Sequence, residues 1–390
     1  MNSTAICSWA RRWAIAGSLL SLLASWNPVV AQSSVRSWLS YFDTDSRHPD
    51  HRAIKICASS GLAVSFVLLD DGRLFAQGVN QYDTRLPTTG ICEVPLPPPG
   101  LFYTNVASSG HGLGLLSDGS VVGWGVRDSA GTVILPIVPP LPTGTRYVDI
   151  AAGGHSLLLR SDGILVAVGD NTFGQCTVPT WAPGLVPVQL CAGEFHSVVR
   201  LSDGSALAWG DNRIGQCNLP PGSYRCVAVG PRHTVGVMAN GSLVACGDNG
   251  AGQCNIPNNG TYLLAAAGRY HSVAWRSDGV FEQWGDNTWG QGSGGTPPSV
   301  PAGVTCTQLA CGYGHTLALL SNGRVLAWGS NVVYESVTPG LPPTPPGRPP
   351  LQYRGVAEER TGAIALLSDG TIQTWGVPVP APMPVANEKF

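Results

Sequence analysis

An all-β chain of repeated hairpin units, stacked as a propeller or solenoid, is the fold class this sequence predicts. Three observations carry the prediction: a turn glycine that recurs eight times, a residue-glycine pair at a fixed distance after it, and a histidine at a fixed distance before it. The glycines are Gly72, Gly119, Gly163, Gly204, Gly241, Gly279, Gly323 and Gly370, spaced by 47, 44, 41, 37, 38, 44 and 47 residues. A period of this length marks architectures in which no unit can bury its own sheet, so stacked neighbours must build the core.

Five residues after each glycine stand Gln77, Trp124, Val168, Trp209, Cys246, Trp284, Trp328 and Trp375, each followed by glycine. Eight residues before it stand His111, His155, His196, His233, His271 and His315, while the first and last units carry Val64 and Gly362 there. One unit, His196 to Cys217, shows the local logic. A run of small and apolar residues, Ser197 to Leu201, meets Ser-Asp-Gly and then a second apolar run, Ser205 to Trp209. This is a hairpin signal, read as a two-residue Asp-Gly connection with positive φ at its central residues, between strands buried on both faces. Gly-Asp-Asn-x-x-Gly-Gln follows, a cluster of turn formers that ends the second strand.

The repeat runs from about Ala53 to Gly376, so 390 residues make one closed domain. Charged residues are 12% and the net charge is −2, which offers no basic face to nucleic acid. Glycine (50) and proline (32) are abundant, but 43% of residues are hydrophobic and fall in regular runs, unlike a disordered chain. The N-terminus reads Arg11-Arg12, an apolar run from Trp13 to Trp26, and Val29-Val30-Ala31-Gln32. These mark residues 1–31 as a secretory signal peptide cleaved after Ala31, too short in its apolar run to span a bilayer. Residues 32–52 form a linker, 53–376 the repeat domain, and 377–390 a Pro-rich tail. The paired arginines hint at the twin-arginine route.

Export leads to an oxidising compartment. Cys7 would leave with the signal, and an even set remains as possible disulfide cysteines: Cys57, Cys92, Cys176, Cys191, Cys217, Cys226, Cys246, Cys254, Cys306 and Cys311. Cys176, Cys217 and Cys254 share one place after Gly-Gln, with Cys191 or Cys226 as suggested partners; the connectivity stays open. Zinc is the rival reading, disfavoured because no Cys-x-x-Cys occurs. Between units lie Pro-rich insertions, Leu86 to Gly100, Gly131 to Gly144, Gly292 to Gly303 and Ser336 to Pro350. Variable insertions on a fixed scaffold are where specificity usually resides, and tolerated linkers are the equal alternative.

Across about residues 53 to 376 the units resemble the repeats of the regulator of chromosome condensation family. The residues that carry this are His315-Thr-Leu-Ala-Leu-Leu-Ser-Asn-Gly-Arg-Val-Leu-Ala-Trp-Gly-Ser-Asn331 and the Gly-Asp-Asn-x-x-Gly-Gln segments from Gly169, Gly210, Gly247 and Gly285. Leu-Ala-Trp-Gly-Asp-Asn followed by Gly-Gln-Cys is also similar to a secreted bacterial branch that includes a β-lactamase inhibitor propeller. The resemblance implies a β-propeller, with seven blades usual in the family. Eight complete hairpins favour eight blades here; seven with a divergent first unit, Phe75-Ala-Gln-Gly78, is the alternative.

The eye-catching residues read as structural. Asn240 and Asn322 replace the turn aspartate in two units, and an amide cannot do general acid/base work, so the aspartates are turn residues. The six histidines would form a ring too wide for one metal, and Ser or Thr follows five of them, which suggests a hydrogen-bonded device that fixes each hairpin. Each Gly-Asp-Asn loop supplies one carboxylate where calcium wants six or more oxygens. Trp124, Trp209, Trp284, Trp328 and Trp375 are expected to pack between blades.

No catalytic constellation and no phosphate-cradling loop appears, so neither an enzyme nor a cofactor is expected. The expected function is a secreted or periplasmic monomeric scaffold that binds another protein through variable loops on one face. The alternatives are nucleotide exchange on a small GTPase, which the family resemblance implies, and inhibition of an extracytoplasmic enzyme such as a β-lactamase.

Overall fold

The computed structural model describes residues 52–59, 64–78, 94–125, 138–257, 259–291, 297–330, 341, 349–358 and 362–376. The segments expected as signal peptide (1–31) and C-terminal tail (377–390), residues 32–51 of the expected linker, and Cys92 lie outside them.

The described chain is built of eight antiparallel sheets, each of three strands consecutive in sequence. They run Ala53–Gly78, Tyr103–Trp124, Tyr147–Gly169, Pro187–Gly210, Tyr224–Gly247, Tyr262–Gly285, Cys306–Gly329 and Tyr353–Gly376, taken below as blades 1 to 8. In blade 4 the inner strand is Pro187–Ala192, the middle strand His196–Leu201 and the outer strand Ala206–Gly210. Each inner strand packs against the inner strands of the blades before and after it, and that of blade 1 packs against those of blades 2 and 8. The ring therefore closes by packing, with no sheet shared between the two chain ends. The Ala53 N–H donates to the Gly370 carbonyl at 2.8 Å across the closure.

The first unit lacks the repeat histidine and tryptophan, yet it forms a complete blade. Its middle strand, Val64–Leu69, is buried at all six positions, as is His315–Leu320 of blade 7. Apolar side chains on both faces of a strand sandwiched between neighbouring blades account for these near-continuous runs.

The hairpin turn differs from the two-residue expectation. The Gly204 N–H donates to the Leu201 carbonyl at 2.9 Å and the Leu201 N–H to the Ser205 carbonyl at 2.8 Å, so Ser202, Asp203 and Gly204 make a three-residue connection. Gly204 takes φ of 86°, and Asp203 spends its carboxylate on the Ser205 N–H at 2.9 Å. This is a β-turn closed by a left-handed glycine, which explains why aspartate and asparagine exchange freely while the glycine stays.

A second device was not legible. Five inner strands open on tyrosine, and Tyr103, Tyr147 and Tyr262 donate their hydroxyls to the carbonyls of Pro95, Pro139 and Pro257 at 2.8, 3.3 and 3.1 Å. The connections before blades 2, 3 and 6 are thus tied down to the blade that follows them. A register shift follows the first residue of every inner strand, a bulge that turns Ile54, Val148 and Val188 out to solvent. The inner strands of blades 1 to 7 surround a central cavity of about 550 Å³, whose apolar wall includes Cys57, Ile150, Leu190 and Leu309.

Candidate functional site

The repeat residues are consumed in holding blades together. His111, His155, His196, His233 and His271 are buried, and each Nε2 meets the hydroxyl of Ser156, Ser197, Thr234, Ser272 or Thr316 in the next blade, at 2.5 to 3.0 Å. The bond crosses between blades; it does not fix a hairpin internally, as the sequence reading supposed. Ser197, Thr234 and Ser272 donate their single proton to the carbonyls of Gln175, Gln216 and Gln253 at 3.1, 2.8 and 2.9 Å. A hydroxyl has one proton, so the imidazoles of His155, His196 and His233 must donate from Nε2. Their Nδ1 atoms carry no hydrogen-bond partner. Burial accordingly pushes His111, His155, His196 and His233 down to about 4 and His271 to about 3.

His315 is the exception, because Ala363 stands where the next hydroxyl would be. Its Nε2 faces the Gly362 carbonyl at 3.2 Å and the buried carboxylate of Glu358. Among the described residues no group of three or more His, Cys, Asp or Glu side chains is placed to hold a metal.

Each tryptophan lies on the preceding blade. Trp124 meets Phe66 edge-on with ring centroids 5.7 Å apart, and Trp328 packs on Phe281 at 5.1 Å. Trp209 clusters with Leu157 and Leu165, Trp284 with Val235 and Val237, and Trp375 with Leu317 and Leu319. The indole N–H groups of Trp209 and Trp284 donate to the Gln175 and Gln253 carbonyls at 2.9 and 2.8 Å.

The nine described cysteines are free thiols. Pairing of Cys176, Cys217 or Cys254 with Cys191 or Cys226 is not made: the loop cysteines turn their sulfurs to the carbonyls of Asp170, Asp211 and Asp248 at 3.2, 3.3 and 3.2 Å, whereas Cys191 and Cys226 sit on inner strands.

In the Gly-Asp-Asn-x-x-Gly-Gln loops every named polar side chain serves the loop itself. Around Asp211 to Cys217, Asp211 accepts from the Arg213 N–H at 3.1 Å, Gln216 from the Ile214 N–H at 3.2 Å, and Asn212 from the Cys217 N–H at 2.9 Å. The two x positions are therefore left to point outward, carrying Phe173, Arg213, Ile214 and Trp289. A second set precedes the repeat histidines: Glu194-Phe195, Pro231-Arg232, Arg269-Tyr270 and Tyr313.

Backbone bonds place both sets on one face. The Asp211, Asp248, Asp286 and Ser330 N–H groups donate to the carbonyls of Phe195, Arg232, Tyr270 and Gly314 at 2.7 to 3.0 Å. Neighbouring loops join through Gly154 N–H to the Gly193 carbonyl at 2.9 Å and Arg269 N–H to the Gly312 carbonyl at 3.2 Å.

On this face the Arg213 guanidinium stacks on Phe173 at 4.1 Å and pairs with Asp211 at 2.8 Å, and Phe173 meets Phe195 edge-on at 5.4 Å. The Arg213 ion pair holds the Asp211 carboxyl down at about 2. Arg269 lies 5.4 Å from both Tyr270 and Tyr313, whose rings meet edge-on at 5.7 Å. Trp289 is 48% exposed and Tyr313 37%. Sequence reasoning passed over these residues; the signal was their place as the variable letters inside otherwise constant loops. Of the Pro-rich insertions named from sequence, the described parts are Val94 to Gly100, Val138 to Gly144, Pro297 to Gly303, Leu341 and residues 349–350; the rest lies outside the described residues.

The regulator of chromosome condensation (RCC1) repeat matches residues 188–216, 224–253 and 306–334, in blades 4, 5 and 7. The X-linked retinitis pigmentosa GTPase regulator homolog of Caenorhabditis elegans is 35% identical over 125 residues, 28% of this chain and 9% of that protein. Human Alsin is 33% identical over 103 residues, 22% of this chain and 6% of that protein. The match thus spans less than a tenth of the length of either relative. Among solved structures, human WBSCR16 superposes with a TM-score of 0.50 at 18% identity, covering 81% of this chain and 87% of that one. This likeness concerns the fold alone.

Proposed function

We propose that this eight-bladed β-propeller, whose blades 4, 5 and 7 match the RCC1 repeat, is an extracytoplasmic scaffold that binds another protein across the face bearing Phe173, Arg213, Tyr270, Trp289 and Tyr313. One observation carries the reading: exposed and half-buried aromatic side chains and exposed arginines gather at the variable positions of a rigid loop system. Tyr, Trp and Arg on a preorganised surface dominate protein interfaces because they bury much area at little cost in side-chain entropy. The side chains that the repeat keeps constant are engaged in loop and blade contacts, which leaves recognition to the variable ones.

The test is comparative capture from the extracytoplasmic fraction. A partner held by the native protein should be lost with Tyr270→Ala/Trp289→Ala/Tyr313→Ala and retained with Ile164→Ser/Val280→Ser at the hairpin turns of the opposite face. Equal recovery by both variants would sink the reading. Export is supported by Arg11-Arg12, the apolar run from Trp13 to Trp26, and the small residues before Gln32. Sequencing the mature N-terminus checks it, with Gln32 expected first.

Regulation of a small GTPase is the second reading, favoured by the 35% identity to a relative named as a GTPase regulator. Release of labelled nucleotide from candidate GTPases tests it, and robust acceleration would displace the scaffold reading.

A further inference from the structure

Blade 5 breaks the repeat in one informative way. The position five residues after the turn glycine holds Cys246, where five other blades hold tryptophan. In blades 4 and 6 that tryptophan reaches back to a backbone carbonyl of the preceding loop, that of Gln175 or Gln253. The residue after each of these glutamines is a cysteine, Cys176 or Cys254, so there a thiol stands beside an indole. At the junction of blades 4 and 5 the same place holds Gln216-Cys217, and the group beside Cys217 is a second thiol. The Cys246 sulfur occupies the indole's role, 3.5 Å from the Gln216 carbonyl oxygen. The Asn218 backbone amide also faces this sulfur. The two peptide groups that flank Cys217 therefore both face Cys246.

A carbonyl oxygen lies about 2.8 Å from the next Cα in a trans peptide, which brings the Cys246 sulfur to within about 6 Å of the Cys217 Cα. The Cys217 and Cys254 thiols both feel the Cys246 sulfur as a neighbouring charge, and it is the peptide groups of Cys217 that contact it. The Cys217 thiol is turned toward the Asp211 carbonyl at 3.3 Å, and rotation about its Cα–Cβ bond redirects it without moving the backbone.

We propose that Cys217 and Cys246 form a disulfide that covalently ties blade 4 to blade 5, in place of the indole clamp used at neighbouring junctions. The oxidant is a small-molecule or protein disulfide, such as oxidised glutathione. One thiol loses its proton and attacks a glutathione sulfur, expelling one glutathione thiolate. The second thiolate then attacks the protein sulfur of the mixed disulfide and expels the other. Two protein thiols are oxidised, one glutathione disulfide is reduced to two thiols, and the two protons lost by the cysteines end on the expelled glutathione thiolates. Burial pushes the Cys217 thiol up to about 12 and that of Cys246 to about 11, so the exchange is slow at neutral pH and faster near pH 9.

The inference needs neither export nor a partner to be tested, so its failure is separate from that of the proposed function. Purified full-length protein is incubated with oxidised glutathione at pH 8.5, alkylated, digested without reduction and analysed by mass spectrometry. A peptide pair joining Cys217 to Cys246 is expected, with Cys254 alkylated. The oxidised protein should melt a few degrees higher than the reduced protein, and dithiothreitol should reverse the shift. Cys246→Trp, which restores the residue of the neighbouring blades, should fold, lose the pair and lose the redox-dependent shift. Joining of Cys246 to Cys254, joining of Cys191 to Cys226 without the Cys217 pair, or full alkylation of Cys217 and Cys246 overturns the proposal.

Discussion

The glycine at each hairpin is the residue on which a blade turns. Gly204 has φ of 86°, a conformation that side chains with a Cβ adopt only under strain, and a Cβ there would come within 2.2 Å of Ser223 Oγ. Serine can rotate away, so the backbone term decides, and Gly204→Ala should cost about 1 to 2 kcal/mol in urea unfolding. A neutral result would show that the turn can rearrange. The buried histidines make a pH prediction. Five imidazoles ordinarily near 6.5 are held near 3 to 4, chiefly by burial, with weaker opposition from Asp170, Asp211, Asp248 and Asp286 near His155, His196, His233 and His271. Between those values the unfolded chain takes up protons that the native state excludes. Stability should therefore fall as pH drops from about 6.5 toward 4, by up to about 1.4 kcal/mol per pH unit for each histidine, and level off below. Urea midpoints at pH 7.5, 6 and 5 measure this, and a flat series would contradict the protonation state assigned to the ring.

Among the elements, the clasp between blades is what the repeated letters encode. Thr234 accepts from His196 and donates to the Gln216 carbonyl, so Thr234→Val preserves shape while leaving the buried His196 N–H without its acceptor and the Gln216 carbonyl with only the weak Cys246 thiol donor. The expected loss is about 2 to 3 kcal/mol, larger than the roughly 1 kcal/mol of an ordinary hydrogen bond, because unsatisfied buried groups carry their full desolvation cost. Thr234→Ser should recover most of it, and equal stability of the two variants would remove the clasp from the account. The strands were legible from their apolar runs, and the turn from its glycine. That the hydroxyl after five of the histidines serves the preceding blade was not, since a one-dimensional pattern does not distinguish a contact within a unit from one between units. The tyrosine that opens five inner strands is also periodic in the sequence, but its role lies in a hydroxyl that four of the five set on a proline carbonyl, a contact the periodicity does not reveal.

The whole molecule is a ring whose sheets are each too small to stand alone. Blade 1 packs on blade 8 through Ala53, Val67 and Leu69 against Ile364 and Ile372. Truncation before Tyr353 would expose both surfaces, and the shortened chain should lose the cooperative thermal transition of the full chain, not merely melt slightly earlier. A sharp transition preserved at comparable enthalpy would mean that closure contributes little.

The sequence by itself determined the unit: where strands run, where they turn, how many times the pattern recurs, and that aspartate or asparagine serves equally before the turn glycine. Short-range backbone preferences and burial periodicity suffice for this, because they act within a few residues. The tertiary structure alone decided which side chains meet across blades. It turned the histidines inward as a chain of inter-blade clasps and gathered Phe173, Arg213, Tyr270, Trp289 and Tyr313 on one face. It also set Cys246 beside Cys217, since those neighbours are tens of residues apart in sequence and are brought together only by the packing of one blade on the next.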